Sequence, residues 1–332
     1  MGSLTQYHTA KTVYRYNNVI SSLSDLKYTK PNNIMECKMT PILKASVLYI
    51  LLSFSLCHAE APPANNNKTL TLGNAAKELK WELGGLTAGI LYLGLKEWRW
   101  GSNKTFKFNN EGFFGMDTGS GGADKLGHLY STYVMDEFLT DRLYYKTGNL
   151  QDAAMKGAIF SAGLMLFVET FDGLSEDHGF SYEDVIMNTT GIGISYLKNT
   201  VPGLRNKLDL RVEYHRSQGD KGHPVTDYTG YNYSAVLKLG GFKSLRTTPL
   251  KYVELQLGYH AEGFKKDDRP YFKKKKTRLY AGIGLDLSEV LFKPLKKQTD
   301  NDLVDMADTF FRYYQAPGIY TTTSLQTRSQ KL

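Results

Sequence analysis

Apolar positions recur at helical spacing through the first two-thirds of the chain and switch to strict alternation near residue 208. Asn74 can cap a helix that runs to about Trp98, where Glu97-Trp98-Arg99-Trp100 closes it. Its uncharged core, Leu83 to Leu95, is 13 residues. Crossing a bilayer takes ~20 apolar residues, so this helix is expected inside a bundle or at a surface. A second helix is predicted from about Ala123 to Tyr145. A third runs from about Leu150 to Thr170, with an uncharged stretch from Gly157 to Val168. Ser181-Tyr182-Glu183-Asp184 reads as a capping box, Asp184 reaching back, and opens a fourth helix that ends before Pro202-Gly203. Between the first two helices, Phe106 to Phe114 is a short aromatic, extended piece. Asp117 to Gly122 is a flexible turn without the Lys-Ser/Thr ending of a phosphate-binding loop.

Beyond residue 208 the period is two. Leu208–Tyr214 and Tyr233–Leu239 alternate. Val253, Leu255, Leu257, Tyr259 and Ala261 alternate with Glu254, Gln256, Gly258, His260 and Glu262. Leu279 to Leu287 repeats the pattern, and Ile319 to Leu325 is a last candidate. Lys265 to Arg278, holding Lys273 to Lys276, is read as the loop between two strands, a solvated hairpin tip or a contact for anionic lipid. Strands with one apolar face and one face of Gly and polar residues resemble those of outer-membrane barrels. Only four or five are visible and eight are the usual minimum for closure, so a small sheet against the helices or a membrane is expected rather than a pore.

The N-terminus is trimmed from the fold. Met39 to Lys44 is a short basic region, Ala45 to Leu56 is uncharged, and Cys57-His58-Ala59 offers small residues for a signal peptidase. The expected organisation is an upstream extension (1–38), a signal peptide (39–59), a Pro- and Asn-rich linker (60–73), a helical motif domain (74–205) and a β-rich region (206–332). Cleavage near Ala59 is the first reading. A lipid anchor at Cys57 is the second, and Leu56 directly before that Cys is not the Gly, Ala or Ser of a usual lipid-attachment box.

The formal charge is +8, and residues 1–59 carry +4 of it, with six Lys/Arg against two Asp/Glu. The remaining +4 is mild for residues 60–332, so nucleic acid is not an expected partner. Both cysteines, Cys37 and Cys57, precede the cleavage point, so a mature chain has no disulfide. The 23 tyrosines suit a β domain with Tyr on its faces or a membrane interface.

Candidate chemistry gathers in the helices. Asp124 and His128 lie four apart and share a face, with Ser131 continuing it. Asp184, Asn188, Gly191 and Ser195 form a similar stripe on the fourth helix. Glu169 ends an apolar run, and a lone buried carboxylate is costly, so Lys125, His128 or Asn188 is expected to partner it. Two readings follow. In one, Lys125 and Asn188 belong to a structural polar network that fixes helix register. In the other, Asp124, His128 and Asp184 hold a divalent metal, with Glu169 and His128 as catalytic acid or base. His178, in a loop, is read as surface or an added ligand. There is no nucleophile elbow, zinc-protease helix or dinucleotide fingerprint.

DTGSGGADKLGHLYSTYV, FVETFDGLSEDHGFSYEDVIMNTTGIGIS and the closing PGL…LDLRVEY resemble the YfiM-like family of periplasmic lipoproteins, a domain of unknown function. More distantly, Asp124-Lys125-x-x-His128, Glu169 and Asp184-x-x-x-Asn188-x-x-Gly191 are similar to the spaced motif of VanZ-like membrane proteins. The resemblance implies a periplasmic, envelope-associated protein. The combined expectation is an α+β fold, an N-terminal bundle of about four helices followed by a C-terminal antiparallel sheet with partial-barrel-like strands. Its expected place is the periplasm, at the outer membrane, with membrane lipid or envelope proteins as partners. The alternative is a metal-dependent hydrolase acting on an envelope lipid or glycan precursor.

Overall fold

The computed structural model describes residues 67–220 and 224–332, so the extension, the signal peptide and Cys57 lie outside the described residues. The first helical segment begins one turn earlier than expected. The Thr71 hydroxyl, not Asn74, is its cap and accepts from the Asn74 amide at 3.3 Å. The segment also breaks into α1 (Leu72–Glu78) and α2 (Lys80–Lys96) at the fully buried Leu79. Gly121 and Gly122, with φ of 63° and 88°, admit the chain to α3 (Ala123–Thr147) through conformations a Cβ would strain. Asn149 caps α4 (Leu150–Asp172). Ser181 caps α5 (Tyr182–Thr200) by accepting from the Asp184 amide at 3.2 Å. Only this half of the predicted capping box forms, because the Asp184 carboxylate is taken by Lys125.

Five antiparallel strands follow in the order β1-β2-β3-β4-β5: Leu208–Tyr214, Tyr231–Lys238, Val253–Glu262, Lys274–Leu285 and Tyr320–Lys331. The fold is α+β, as expected, with helices preceding the sheet. Two further helices, α6 (Lys293–Lys296) and α7 (Asp302–Tyr313), sit between β4 and β5. Lys274 to Arg278, expected in a loop, is the start of β4 and pairs with β5.

The two faces of the sheet differ in polarity. Its polar face is the inner one, where Arg211, Glu254, Gln256 and Gln315 are buried. Gly258 makes room there, since a Cβ would lie 2.1 Å from the Tyr280 ring. The sheet curls far enough for one side chain to span its two edge strands, while the segment before β5 lies along the free edge of β1. Tyr320 of β5 donates to Glu213 of β1, and Gln315 donates its amide to Val212 on the outer side of β1. On the apolar face, Val212, Tyr233 and Ala261 pack on Ala123, Leu126 and Tyr130 of α3, while Leu210 meets Tyr133. The same face runs on uncovered through Leu255, Leu257, Ile283 and Leu285. A separate cluster built on Leu79, Trp100, Leu139, Leu143 and Val168 joins α1 to α4. The central α3 thus has the sheet on one side and α4 and α5 against it elsewhere.

Candidate functional site

Gly191 decides how closely α5 approaches α3. A Cβ there would lie 2.3 Å from the Leu129 carbonyl oxygen, so only glycine lets the two backbones touch. That approach carries the N-terminal turns of α5 onto the first turns of α3, with the end of α4 beside them. Lys125, 1% exposed, sits at the centre. Its ammonium donates to Asp184 at 2.7 Å, to Asp124 at 3.0 Å and to Glu111. Tyr228, from the turn before β2, donates to the other Asp124 oxygen at 2.6 Å.

His128 lies between the carboxylates. Its Nε2 is 3.8 Å from Asp184 and 4.0 Å from Asp124, and its Nδ1 is 3.4 Å from Glu169, close but off line for a hydrogen bond. Asn188 donates to Glu169 at 3.1 Å and accepts from Thr132 at 2.8 Å, tying α4, α5 and α3 together. Of the three partners expected for Glu169, Asn188 and His128 reach it, and Lys125 is spent on Asp184. One Glu169 oxygen, Oε2, is buried without a partner. The single ligand atoms of Asp124, His128 and Asp184 lie within 4.8 Å of one another. His178 is not part of that group.

Burial alone would push the His128 imidazole down, but Asp184, Asp124 and Glu169 override it and hold its pKa at about 9. Burial pushes Glu169 up to about 8, with nearby His128 opposing and Asp184 reinforcing. Burial likewise raises Asp124, but His128, Lys125 and the Tyr228 hydroxyl more than offset it and hold Asp124 at about 2. The cluster therefore sets the Lys125 ammonium and, near neutral pH, a protonated His128 imidazole among the side chains of Glu111, Asp124 and Asp184, with Glu169, raised by burial to about 8, beside them. A metal ligated by His128 would have to displace that proton first.

The sequence reading missed Glu111, whose one signal was a lone acid within the aromatic run Phe106 to Phe114. Tyr228 gave no signal at all, because it lies 104 residues from Asp124. It also missed a second buried cluster. Lys198 of α5 bonds Tyr133 at 2.6 Å, Glu137 at 2.7 Å and Asp209 of β1 at 2.9 Å, and Ser195 donates to Glu137. Ser195 belongs to the small, polar stripe of the fourth helix, and Lys198 and Asn199 continue that stripe in the sequence.

No curated protein and no solved structure matches the chain. Residues 110–200, the span that holds every charged side chain of the first cluster, match the model of a family of unknown function, DUF2279, described as a predicted periplasmic lipoprotein.

Proposed function

We propose that the protein is a periplasmic envelope protein that rests on the outer membrane through the outward faces of α2, α4 and α5, with the charged clusters holding those helices in register. The observation that carries this is an inversion of polarity. The exposed positions of α4 are Gln151, Met155, Ile159, Ala162, Gly163, Leu166 and Thr170. Those of α5 are Tyr182, Ile186, Thr189, Thr190 and Leu197. None is charged. Asp152, Lys156, Glu169, Asp172, Glu183, Asp184 and Lys198 are all turned inward. Between Trp81 and Leu95 the exposed side of α2 is uncharged too. A water-facing helix has the opposite arrangement, whereas in lipid inward charges and outward apolar side chains are the stable one. By length and composition α4 could cross a membrane, and only a third of its most apolar 18-residue stretch is buried.

The test is flotation of the mature protein with phospholipid vesicles, followed by carbonate and high-salt washes and a density gradient of cell membranes. Wild type should stay with the vesicles through both washes and band with outer membrane. Ile159→Asp with Leu166→Asp, both at exposed positions, should release it while leaving the melt unchanged. A wild-type protein that either wash removes sinks the reading.

A second reading has one observation in its favour, the convergence of Asp124, His128 and Asp184. There the three would hold a divalent metal, Glu169 would act as general base, and the substrate would be an envelope lipid or glycan precursor. Metal content of wild type against His128→Ala, Asp184→Ala decides it. Near-stoichiometric metal that vanishes in the variant supports the hydrolase, and metal-free wild type excludes it.

A further inference from the structure

We infer that a cavity at the end of the curled sheet, remote in sequence from the α3–α5 cluster, binds the phosphate of an anionic phospholipid whose acyl chains lie along an adjoining apolar strip. This rests on the membrane reading above and adds a headgroup to it. The cavity has a volume of about 540 Å³ and is lined by seven cationic side chains against four carboxylates.

Those carboxylates are already engaged. Asp209 pairs with Lys198 and Lys238, Glu289 with Lys293, and Asp308 with Lys296. Asp286 accepts from the backbone amides of Ser288 and Glu289. The cations are not all matched. Arg246 donates its Nε to the Gly240 carbonyl at 3.2 Å, and the ammonium of Lys251 stands 4.7 Å over the Tyr252 ring. Neither meets a carboxylate among the described residues. Arg211, which also lines the cavity, is matched by Glu254 at 2.8 Å through its Nη1 but keeps a buried Nε with no hydrogen-bond partner among the described residues. Glycines shape the wall. A Cβ on Gly240 would lie 2.8 Å from the Lys251 carbonyl oxygen, and one on Gly241 2.3 Å from that of Asn206. Spare guanidinium and ammonium groups around a recess form a site for a tetrahedral oxyanion.

The surroundings select a lipid over a free anion. Lys251 is flanked by Leu250 and Tyr252, and Glu289 is followed by Val290 and Leu291, all four exposed. Ile283 and Leu285, 57% and 46% exposed, extend that apolar surface along β4. A soluble phosphate has no use for such a strip, and an acyl chain does. A second recess of about 500 Å³ shares Lys251 and Lys293 and adds Lys296 and Lys297, which widens the basic rim.

The experiment measures partition of the full mature chain onto phosphatidylethanolamine vesicles with and without phosphatidylglycerol. Wild type should prefer the anionic vesicles. Arg246→Ala with Lys251→Ala should lower that partition about thirty-fold, on a scale of roughly five-fold per cation near the surface, and leave binding to the neutral vesicles unchanged. Lys273→Ala with Lys276→Ala removes the same charge from the β3–β4 hairpin and should change little. Thermal melts of both doubles should match wild type. Equal losses in the two doubles would mean diffuse attraction and overturn the site. Inorganic phosphate that strips the anionic preference at lipid-equivalent concentration would mean a free-phosphate site and overturn the lipid assignment. Binding to neutral vesicles with no anionic preference defeats this inference alone, and no vesicle binding at all defeats the membrane reading with it.

Discussion

Replacing Lys125 with Met tests the charged core directly. The side chain is fully enclosed, and its ammonium lies 2.7 Å from Asp184, 3.0 Å from Asp124 and against Glu111. Met keeps the length of the stem and removes the charge. Three carboxylates are then left facing one another, with only His128, 3.8 Å or more from the nearer two, to compensate. Breaking a buried ion pair by deleting one partner costs about 3–5 kcal/mol. With three partners stranded and one imidazolium left, the expected cost is about 4 kcal/mol. For a domain of this size that is a fall in melting temperature of about 10 °C. The loss should depend on pH. Asp124 is held at about 2, below its ordinary 3.8, so the pairing contributes its full stability above about pH 4 and loses it as pH falls toward 2. The gap between wild type and Lys125→Met should therefore close in acid. Circular-dichroism melts near neutral pH and near pH 3 measure it. A gap below about 1 kcal/mol at neutral pH, or one of the same size at both, refutes the view that this ammonium holds the helices together.

Three further outcomes follow from single contacts. His128, held at about 9 instead of its ordinary 6.5, contributes stability that is complete below about 6.5 and lost as pH rises through 9; an NMR titration of its ring should show the raised midpoint, and a midpoint at or below 6.5 would contradict the geometry. Gly191→Ala should destabilise by about 1–3 kcal/mol, because its new methyl meets the Leu129 carbonyl. Two residues on, Gly193→Ala opens into free space and should stabilise by up to about 1 kcal/mol, so chemical denaturation of the two variants must move in opposite directions. Gly258→Ala, aimed at the Tyr280 ring, should cost about 1–3 kcal/mol, and an unchanged denaturation midpoint would mean that the polar interior of the sheet is looser than the close approach implies.

What the chain revealed in advance depended on how local the cause was. The helices from Ala123 onward, the Ser181 cap and the i, i+4 placing of Asp124 and His128 are set by neighbours in sequence, and each formed where the spacing placed it, whereas the first predicted helix started earlier and broke at Leu79. Glu169 was legible as a carboxylate in need of a partner because desolvation is a property of its own apolar run. Which partner it took was not, since Lys125 had a stronger claim on it from Asp184, 59 residues away. The alternation of β3 and β4 defined two faces but not which would be buried. That choice rests on Gly258 and Tyr280 fitting together inside a curl that only the paired strands create. The helix Asp302–Tyr313 was missed although Leu303, Val304, Met306, Ala307, Phe310 and Phe311 repeat at helical spacing.

The placing of the two buried lysines bears on why such charge is kept at all. Lys125 joins the loop at Glu111 to α3 and α5, and Lys198 joins α3 and α5 to β1. Each stands where three segments meet. In water, apolar burial would choose which side of α4 or α5 faces inward. Here it cannot choose well, because the outward sides, with Ile159 and Leu166 or Ile186 and Leu197, are as apolar as the inward ones. Against lipid the difference shrinks further, since acyl chains solvate those side chains as readily as a protein core does. What distinguishes the two sides is the line of Glu169, Asp184, Asn188 and Lys198, each costly outside and paired inside. Rotating α5 by half a turn would put other apolar side chains outward but would turn Asp184, Asn188 and Lys198 out of their pairs and leave Glu169 of α4 without Asn188. On this argument the clusters specify orientation rather than add net stability, and a well-packed apolar replacement of Lys198, Glu137 and Asp209 together would preserve the melt while loosening the register of α5.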